Sequence, residues 1–255
     1  MSNPELAELA KIAQRASDAA RSEILSRFGQ ARVSIKEDGT VVTEADLAAE
    51  RAMRAVFEKE TPEIGVMGEE YGGEVTAGLT WIVDPIDGTI SYSRGIPLFG
   101  SLIALLQDGN PLLGLIDLPA LGERTLGWQG GGVRRNGEPV RCSTGNNLEE
   151  AIIAHGDAYT FQLAGQEAAF AQMTREIPLL RGYTDALGHA LTLSGSVGAM
   201  VDLDLNLWDF AATQALIPEA GGRCEIIDCP NGKKGLIMGS PGLVTQLLSF
   251  LKPTT

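Results

Sequence analysis

Trp81-Ile82-Val83-Asp84-Pro85-Ile86-Asp87-Gly88-Thr89 is the stretch on which the reading of this chain turns. An apolar triplet of strand type runs into a carboxylate, and Pro85 keeps Asp84 extended. A second carboxylate, Asp87, follows three residues later. Gly88-Thr89 then offers backbone N–H groups at what reads as a helix start. Amides beside two carboxylates make a place for an anion next to a cation. Magnesium takes hard oxygen ligands and keeps its waters, so it suits two or three carboxylates plus a substrate phosphate. Two such ions about 3.5–4 Å apart would clamp the attacking and leaving oxygens of a phosphoryl transfer. The plainer alternative is a turn capped by both aspartates.

Around this centre the chain alternates helix and strand signals. Leu6, Leu9, Ile12, Ala13, Ala16, Ala20, Ile24 and Phe28 keep helical spacing after Asn3-Pro4, with Asn3 as the expected cap and Gly29 as the stop. A second helix opens after Thr43 and ends before Pro62. Ile64–Met67 reads as a short strand, and Asp108-Gly109-Asn110 joins two apolar runs as a hairpin. Beyond residue 150, strands are expected at 151–154, 199–205, 224–227 and 236–238, with helices at 164–176, 185–197, 209–220 and 243–251. Residues 1–145 read as an N-terminal α+β part and 146–255 as a C-terminal α/β part, packed as one layered α+β unit.

Composition narrows the function. The chain has 255 residues, 20 basic and 33 acidic, for a net charge of −13. A body this acidic repels phosphate backbones, which argues against nucleic acid as a partner. It can still take a phosphate ester if metal cations stand between. Two histidines, His155 and His189, exclude a three-histidine zinc site. Three cysteines without CxxC spacing fit a reducing cytoplasm. No apolar run reaches the roughly 20 residues of a membrane span, and the EF-hand calcium pattern is absent. Aspartyl-phosphate phosphatases carry aspartates two apart on one strand face, whereas Asp84 and Asp87 are three apart around a proline.

Asp84-Pro85-Ile86-Asp87-Gly88-Thr89, with Gly68-Glu69-Glu70 upstream and Trp208-Asp209 downstream, resembles the inositol monophosphatase family of magnesium-dependent, lithium-sensitive phosphomonoesterases. The resemblance runs from about Lys36 to Gly222, and Glu219-Ala220-Gly221-Gly222 fits its closing pattern. It implies a layered αβαβα sugar-phosphatase-type fold, with two sheets between helix layers, and a cytoplasmic homodimer. It also implies roles. Glu69, Asp84 and the Ile86 carbonyl would hold one Mg2+, and Asp84, Asp87 and Asp209 a second. A third ion near Glu69 would assist. Thr89 and Asp46 would orient and deprotonate the attacking water, while the Gly88 and Thr89 amides would hold phosphate oxygens.

Structural alternatives stand beside these roles. Asp46 lies three residues after Thr43, as the acid of a capping box does. Asp209 suits the first turn of a helix. Lys36 is either near the phosphate or a surface charge, and Trp208 reads as a packing residue. Ser91, Tyr92, Arg94 and the run Ile96-Pro97-Leu98-Phe99-Gly100 are similar to the histidinol-phosphatase branch, although Ile90 departs from both branches. Asp185, His189 and Asp202 fall at expected substrate positions, and an acidic pocket favours the cationic histidinol phosphate. Inositol 1-phosphate, other sugar phosphates and a catalytically dead regulatory homologue are the alternatives.

Overall fold

A computed structural model describes residues 1–36 and 39–251. The first half gives α1 (Asn3–Arg27), β1 (Val33–Ile35), β2 (Val41–Thr43), α2 (Glu44–Glu60), β3 (Gly65–Gly68), β4 (Leu79–Asp87), α3 (Thr89–Ser93), β5 (Gly100–Gln107) and β6 (Asn110–Leu118), then β7 (Glu123–Trp128), β8 (Gly132–Arg135) and β9 (Glu138–Pro139). The second half gives β10 (Ile153–His155), α4 (Ala158–Leu163), α5 (Glu167–Glu176), β11 (Leu180–Arg181), α6 (Asp185–Leu193) and β12 (Ala199–Leu205), then α7 (Leu207–Glu219), β13 (Arg223–Asp228), β14 (Lys234–Gly239) and α8 (Pro241–Leu248).

Strands β3 to β9 form one sheet in chain order, and a second sheet runs β11-β10-β12-β14-β13. Helices α1 and α2 cover one face of the large sheet, while α6 and α7 fill the space between the two sheets. Helices α4 and α8 cover the far face of the small sheet. The result is the layered αβαβα arrangement that the resemblance implies. Three apolar clusters glue the layers. Ala13, Phe57, Trp81 and Ile103 hold α1 and α2 to the large sheet. Ile82, Leu102, Leu216 and Met238 fill the inter-sheet space, and Phe161, Met173, Ile237 and Leu247 close the far side.

Local chemistry shifts several boundaries. The cap of α1 is Ser2 rather than Asn3, because both the backbone N–H and the hydroxyl of Ser2 donate to Glu5 Oε2, at 2.7 and 2.8 Å. The Asn3 side chain instead donates to the Gly130 carbonyl at 2.7 Å and accepts from Trp128 Nε1 at 2.9 Å. The helix expected over 164–176 starts only at Glu167, as α5, because Gly165 takes φ +68° and separates it from α4, a helix outside the expected span. Strand β4 does not stop at Asp84 but continues to Asp87.

Candidate active site

The continuation of β4 brings the two aspartates to one face. Its register against β5 shifts between Asp84 and Asp87, so Pro85 sits in a bulge, where a missing N–H costs no ladder bond. Trp81 and Val83 point into the α2 layer, and Ile82 points into the inter-sheet layer. Asp84 shares the phase of Ile82. The bulge flips the alternation, so Ile86 returns to the α2 side. Asp87 then faces the inter-sheet side, where it meets the Ala186 backbone N–H at the start of α6.

Glu69 follows β3, which pairs in parallel with β4, and its N–H donates to the Val83 carbonyl at 3.3 Å. It therefore stands at the same strand ends as Asp84. Asp209 lies at N3 of α7, with Asn206 as cap and Asn206 N–H donating to Asp209 Oδ2 at 2.7 Å. Its capping and a ligand role are compatible, since Oδ1 carries no cap bond. Glu69, Asp84, Ile86, Asp87, Gly88, Thr89 and Asp209 all line one cleft of about 220 Å³.

The electrostatics of this cleft ask for a cation. Burial pushes the Asp84 and Asp87 carboxyls well above the usual range, and the neighbouring acids Glu69, Asp185 and Asp209 add repulsion. Burial likewise pushes Asp209 up to about 7. Asp84 is 2% exposed, and its Oδ1 is buried with no hydrogen-bond partner. A buried carboxylate oxygen without a donor is costly unless a cation meets it. Among the described residues no group of three or more His, Cys, Asp or Glu side chains is arranged to hold a metal ion. Lys36 offers a local stand-in, with its ammonium 2.9 Å from Glu69 Oε1 and 2.8 Å from Glu70 Oε1. Burial alone would lower Lys36, but these two partners outweigh it and raise it. The lysine is thus neither a solvated surface charge nor, in this arrangement, engaged elsewhere.

Asp46 performs two jobs with two oxygens. Oδ2 accepts from the Thr43 N–H at 2.9 Å and the Thr43 hydroxyl at 2.5 Å, closing a capping box at the start of α2. Oδ1 lies 3.2 Å from Thr89 Oγ1, which is also 2.9 Å from the Ile86 carbonyl. Burial raises Asp46 to about 6, against the opposing bonds from Thr43. Gly88 caps α3 at φ +88°, and a Cβ there would lie 3.2 Å from both Asp185 Oδ2 and the Leu98 carbonyl. Only glycine fits this turn.

The remaining predicted residues come from the small-sheet side. Asp185 opens α6, with the Thr184 hydroxyl donating to its Oδ2 at 2.7 Å. His189 is 1% exposed and is held between Thr213 Oγ1 at 2.8 Å and Asp202 Oδ2 at 3.2 Å. It lines the cleft but is fully partnered. Asp202 packs so closely on Gly156 that a Cβ there would lie 2.0 Å from Oδ1. Trp208 joins the inter-sheet core and also lines the cleft.

Sequence reasoning missed four acidic or hydroxyl residues in or beneath the site. Asp157, Thr160 and Asp204 also line the cleft, and Asp204 takes φ +64° at an irregularity of β12. The fourth is Glu50, fully buried one turn after Asp46. It accepts from the Glu70 N–H at 2.8 Å, the Tyr71 N–H at 3.2 Å and Arg54 Nε at 2.8 Å. A Cβ on Gly68 would lie 2.1 Å from Glu50 Oε1. Glu50 therefore fixes the loop that carries Glu69. A carboxylate at a helix position flanked by buried Ala49 and Met53 was its signal in the sequence. Glu50→Gln is expected to raise the metal concentration for half-maximal activity about 10–100-fold, as outer-shell changes do. Metal titration of the hydrolysis rate checks this, and an unchanged half-saturation would leave Glu50 a packing group only.

Comparison with known proteins agrees with the geometry. A sequence profile described as the inositol monophosphatase family matches residues 5–249. The chain belongs to the inositol monophosphatase family. It is 35% identical over 243 residues to a histidinol-phosphatase of Mycobacterium tuberculosis, covering 92% of each chain. It is 32% identical over 233 residues to the inositol-1-monophosphatase ImpA of Mycolicibacterium smegmatis, covering 86% of this chain and 83% of that one. The crystal structure of extragenic suppressor protein suhB from Bartonella henselae superposes with a TM-score of 0.88 at 27% identity, covering 97% of this chain and all of that one. This family member is a phosphoric monoester hydrolase, and its family is metal-dependent. Among the described residues no helix is long and apolar enough to cross a membrane.

Proposed function

We propose that the chain hydrolyses histidinol phosphate to histidinol and phosphate, using two or three Mg2+ ions held by Glu69, Asp84, Asp87, Asp209 and the Ile86 carbonyl. Bound there, the ions would supply Lewis-acid neutralisation of phosphate charge and a nucleophilic water at neutral pH. The chain's own groups supply position and proton transfer. Thr89 Oγ1 can donate its single proton to Asp46 Oδ1 while a lone pair accepts from the attacking water. Asp46 then takes a proton, and burial tunes it for that task near neutral pH. The Gly88 and Thr89 amides orient phosphate oxygens. Residues 1–145, which carry most of these groups, and residues 146–255 act as one unit, in a cytoplasmic homodimer.

The observation that carries the substrate is the acidity of the leaving-group side. Asp157, Asp185, Asp202 and Asp204 all line the cleft from the small-sheet side. Such a wall suits an ammonium and an imidazolium better than a neutral polyol. The relatives named histidinol-phosphatase support the same reading. Asp202→Asn is expected to lower kcat/KM for histidinol phosphate about 10–100-fold, the worth of one charge-assisted bond. It should leave inositol 1-phosphate nearly untouched, since asparagine keeps an acceptor for His189. Rates on both esters, for wild type and variant, test this. Equal losses, or a wild type that prefers inositol 1-phosphate, would transfer the reading to the inositol ester.

A further inference from the structure

A second cleft, of about 470 Å³, opens on the α1 face of the large sheet. It is larger than the catalytic cleft and falls in the size range of small-molecule sites. Its walls come from α1 and the β7–β8 edge. Strand β7 turns Arg124, Leu126 and Trp128 towards the cleft, while the alternate Gly127 packs beneath Leu216 of α7. Helix α1 presents only Ala7 and Ala10 opposite the apolar pair, and these short side chains leave the gap. Trp128 is fixed rather than free. Its indole N–H bonds Asn3, and its ring lies over Gly131, where a Cβ would come within 2.3 Å.

The polar end of the cleft is basic, on a chain whose net charge is −13. Lys11, Arg21, Arg124 and Arg134 line it with Asp18; Lys11 is paired with Glu8 at 2.7 Å, and the two arginines Arg21 and Arg124 share Asp117. Arg21 grips the fully buried Asp117 through Nε at 2.9 Å and Nη2 at 2.6 Å. Arg124 bonds Asp117 through Nε at 2.9 Å and Asp18 through Nη2 at 2.7 Å. Both guanidinium planes are thereby set in place, and the Nη1 of each has no partner among the described residues. Arg134 donates only to the Gly137 carbonyl, at 3.0 Å, and has no acidic partner among the described residues. Planar donors held ready beside an indole suit an anion attached to a flat apolar body.

We propose that this cleft binds a small organic anion, a carboxylate, sulfonate or phosphate carried on an aromatic or apolar ring. The anion meets Arg134 and the open edges of Arg21 and Arg124, and the ring lies between Trp128, Leu126 and the α1 alanines. The site is separate from the catalytic carboxylates and stands whether or not histidinol phosphate is the substrate.

The test is calorimetric titration of the metal-loaded enzyme with 1-naphthalenesulfonate, which carries no hydrolysable phosphate. Saturable binding at one per chain is expected. Arg134→Ala should weaken it at least tenfold, and Ala7→Trp, which fills the gap, should abolish it. Both variants should retain wild-type hydrolysis, which also reports that they fold. Gln14→Trp blocks the same gap from an outward position if Ala7→Trp loses activity. Absence of saturable binding, or binding indifferent to Arg134→Ala and to the blocking variants, overturns the proposal.

Discussion

Asp84→Asn is expected to abolish hydrolysis, lowering kcat by about a thousandfold or more, beyond the 10–100-fold of an outer-shell change. The variant should still fold. Asp84 stands where both proposed metal positions draw on it, next to Glu69 just past the end of β3 and in phase with Asp87 across the β4 bulge. Its buried Oδ1 has no other partner to serve. Asparagine fills the same volume but offers a neutral oxygen and an amide to a site built for cations. Turnover near wild type would remove the two-metal assignment.

The same substitution separates function from stability. Burial and neighbouring acids raise Asp84, Asp87 and Asp209 above their unfolded values. Without metal, the native chain therefore binds protons that the unfolded chain releases. The stabilisation tied to those protons is present at low pH and is lost as pH rises through the folded values, about 7 for Asp209. Metal-free Asp84→Asn, with one buried charge fewer, should melt higher than metal-free wild type by about 2–8 °C, at 2–4 °C per kcal/mol for a chain of this size. That gap should widen from pH 5 to pH 8. Saturating Mg2+ should close or reverse it, because the ions stabilise the wild type more. Thermal melts at two pH values, with and without metal, check the signs. A metal-free variant that melts below wild type would mean that Asp84 has a stabilising partner in the native state.

How far the sequence carried the reading depended on how local each cause was. The start of α2 was legible because Thr43 and Asp46 form a capping box within four residues. Strand β12 was legible to the residue as the run 199–205, since its alternation is apolar and uninterrupted until Asp202. The end of β4 was not legible. Proline argues against a central strand, and only the register against β5 shows the bulge that accommodates it. Strands β7 and β8, with their arginines and glycines, show no strand pattern in the sequence. The layer order itself came from resemblance and not from periodicity.

The site divides in the same way. Asp84, Asp87 and Thr89 lie within one six-residue stretch and were legible together. Glu50 was not, because its meaning lies in amides 20 and 21 residues onward. Asp157, Thr160 and Asp204 reach the cleft only because α4 packs on β12 and because β12 bends near its end. His189 lines the cleft, and both its ring nitrogens are engaged within the protein.

Thr89→Ala is expected to lower kcat about 10²–10³-fold, the usual loss when one well-placed polar contact to the reacting centre is removed. KM should stay within about threefold, because the contact is made mainly in the transition state. The geometry explains why so small a group matters. Thr89 Oγ1 sits 2.9 Å from the Ile86 carbonyl and 3.2 Å from Asp46 Oδ1. A hydroxyl has one proton, so donation to either oxygen leaves its lone pairs open to a water. Asp46 cannot swing to replace it, since Oδ2 is tied to the Thr43 N–H and hydroxyl in the capping box. Thr89→Ser, which keeps the hydroxyl, should recover most of the rate. Alanine and serine variants with equal losses would assign the defect to packing at the start of α3. An effect confined to KM would place Thr89 on the substrate phosphate instead of the water.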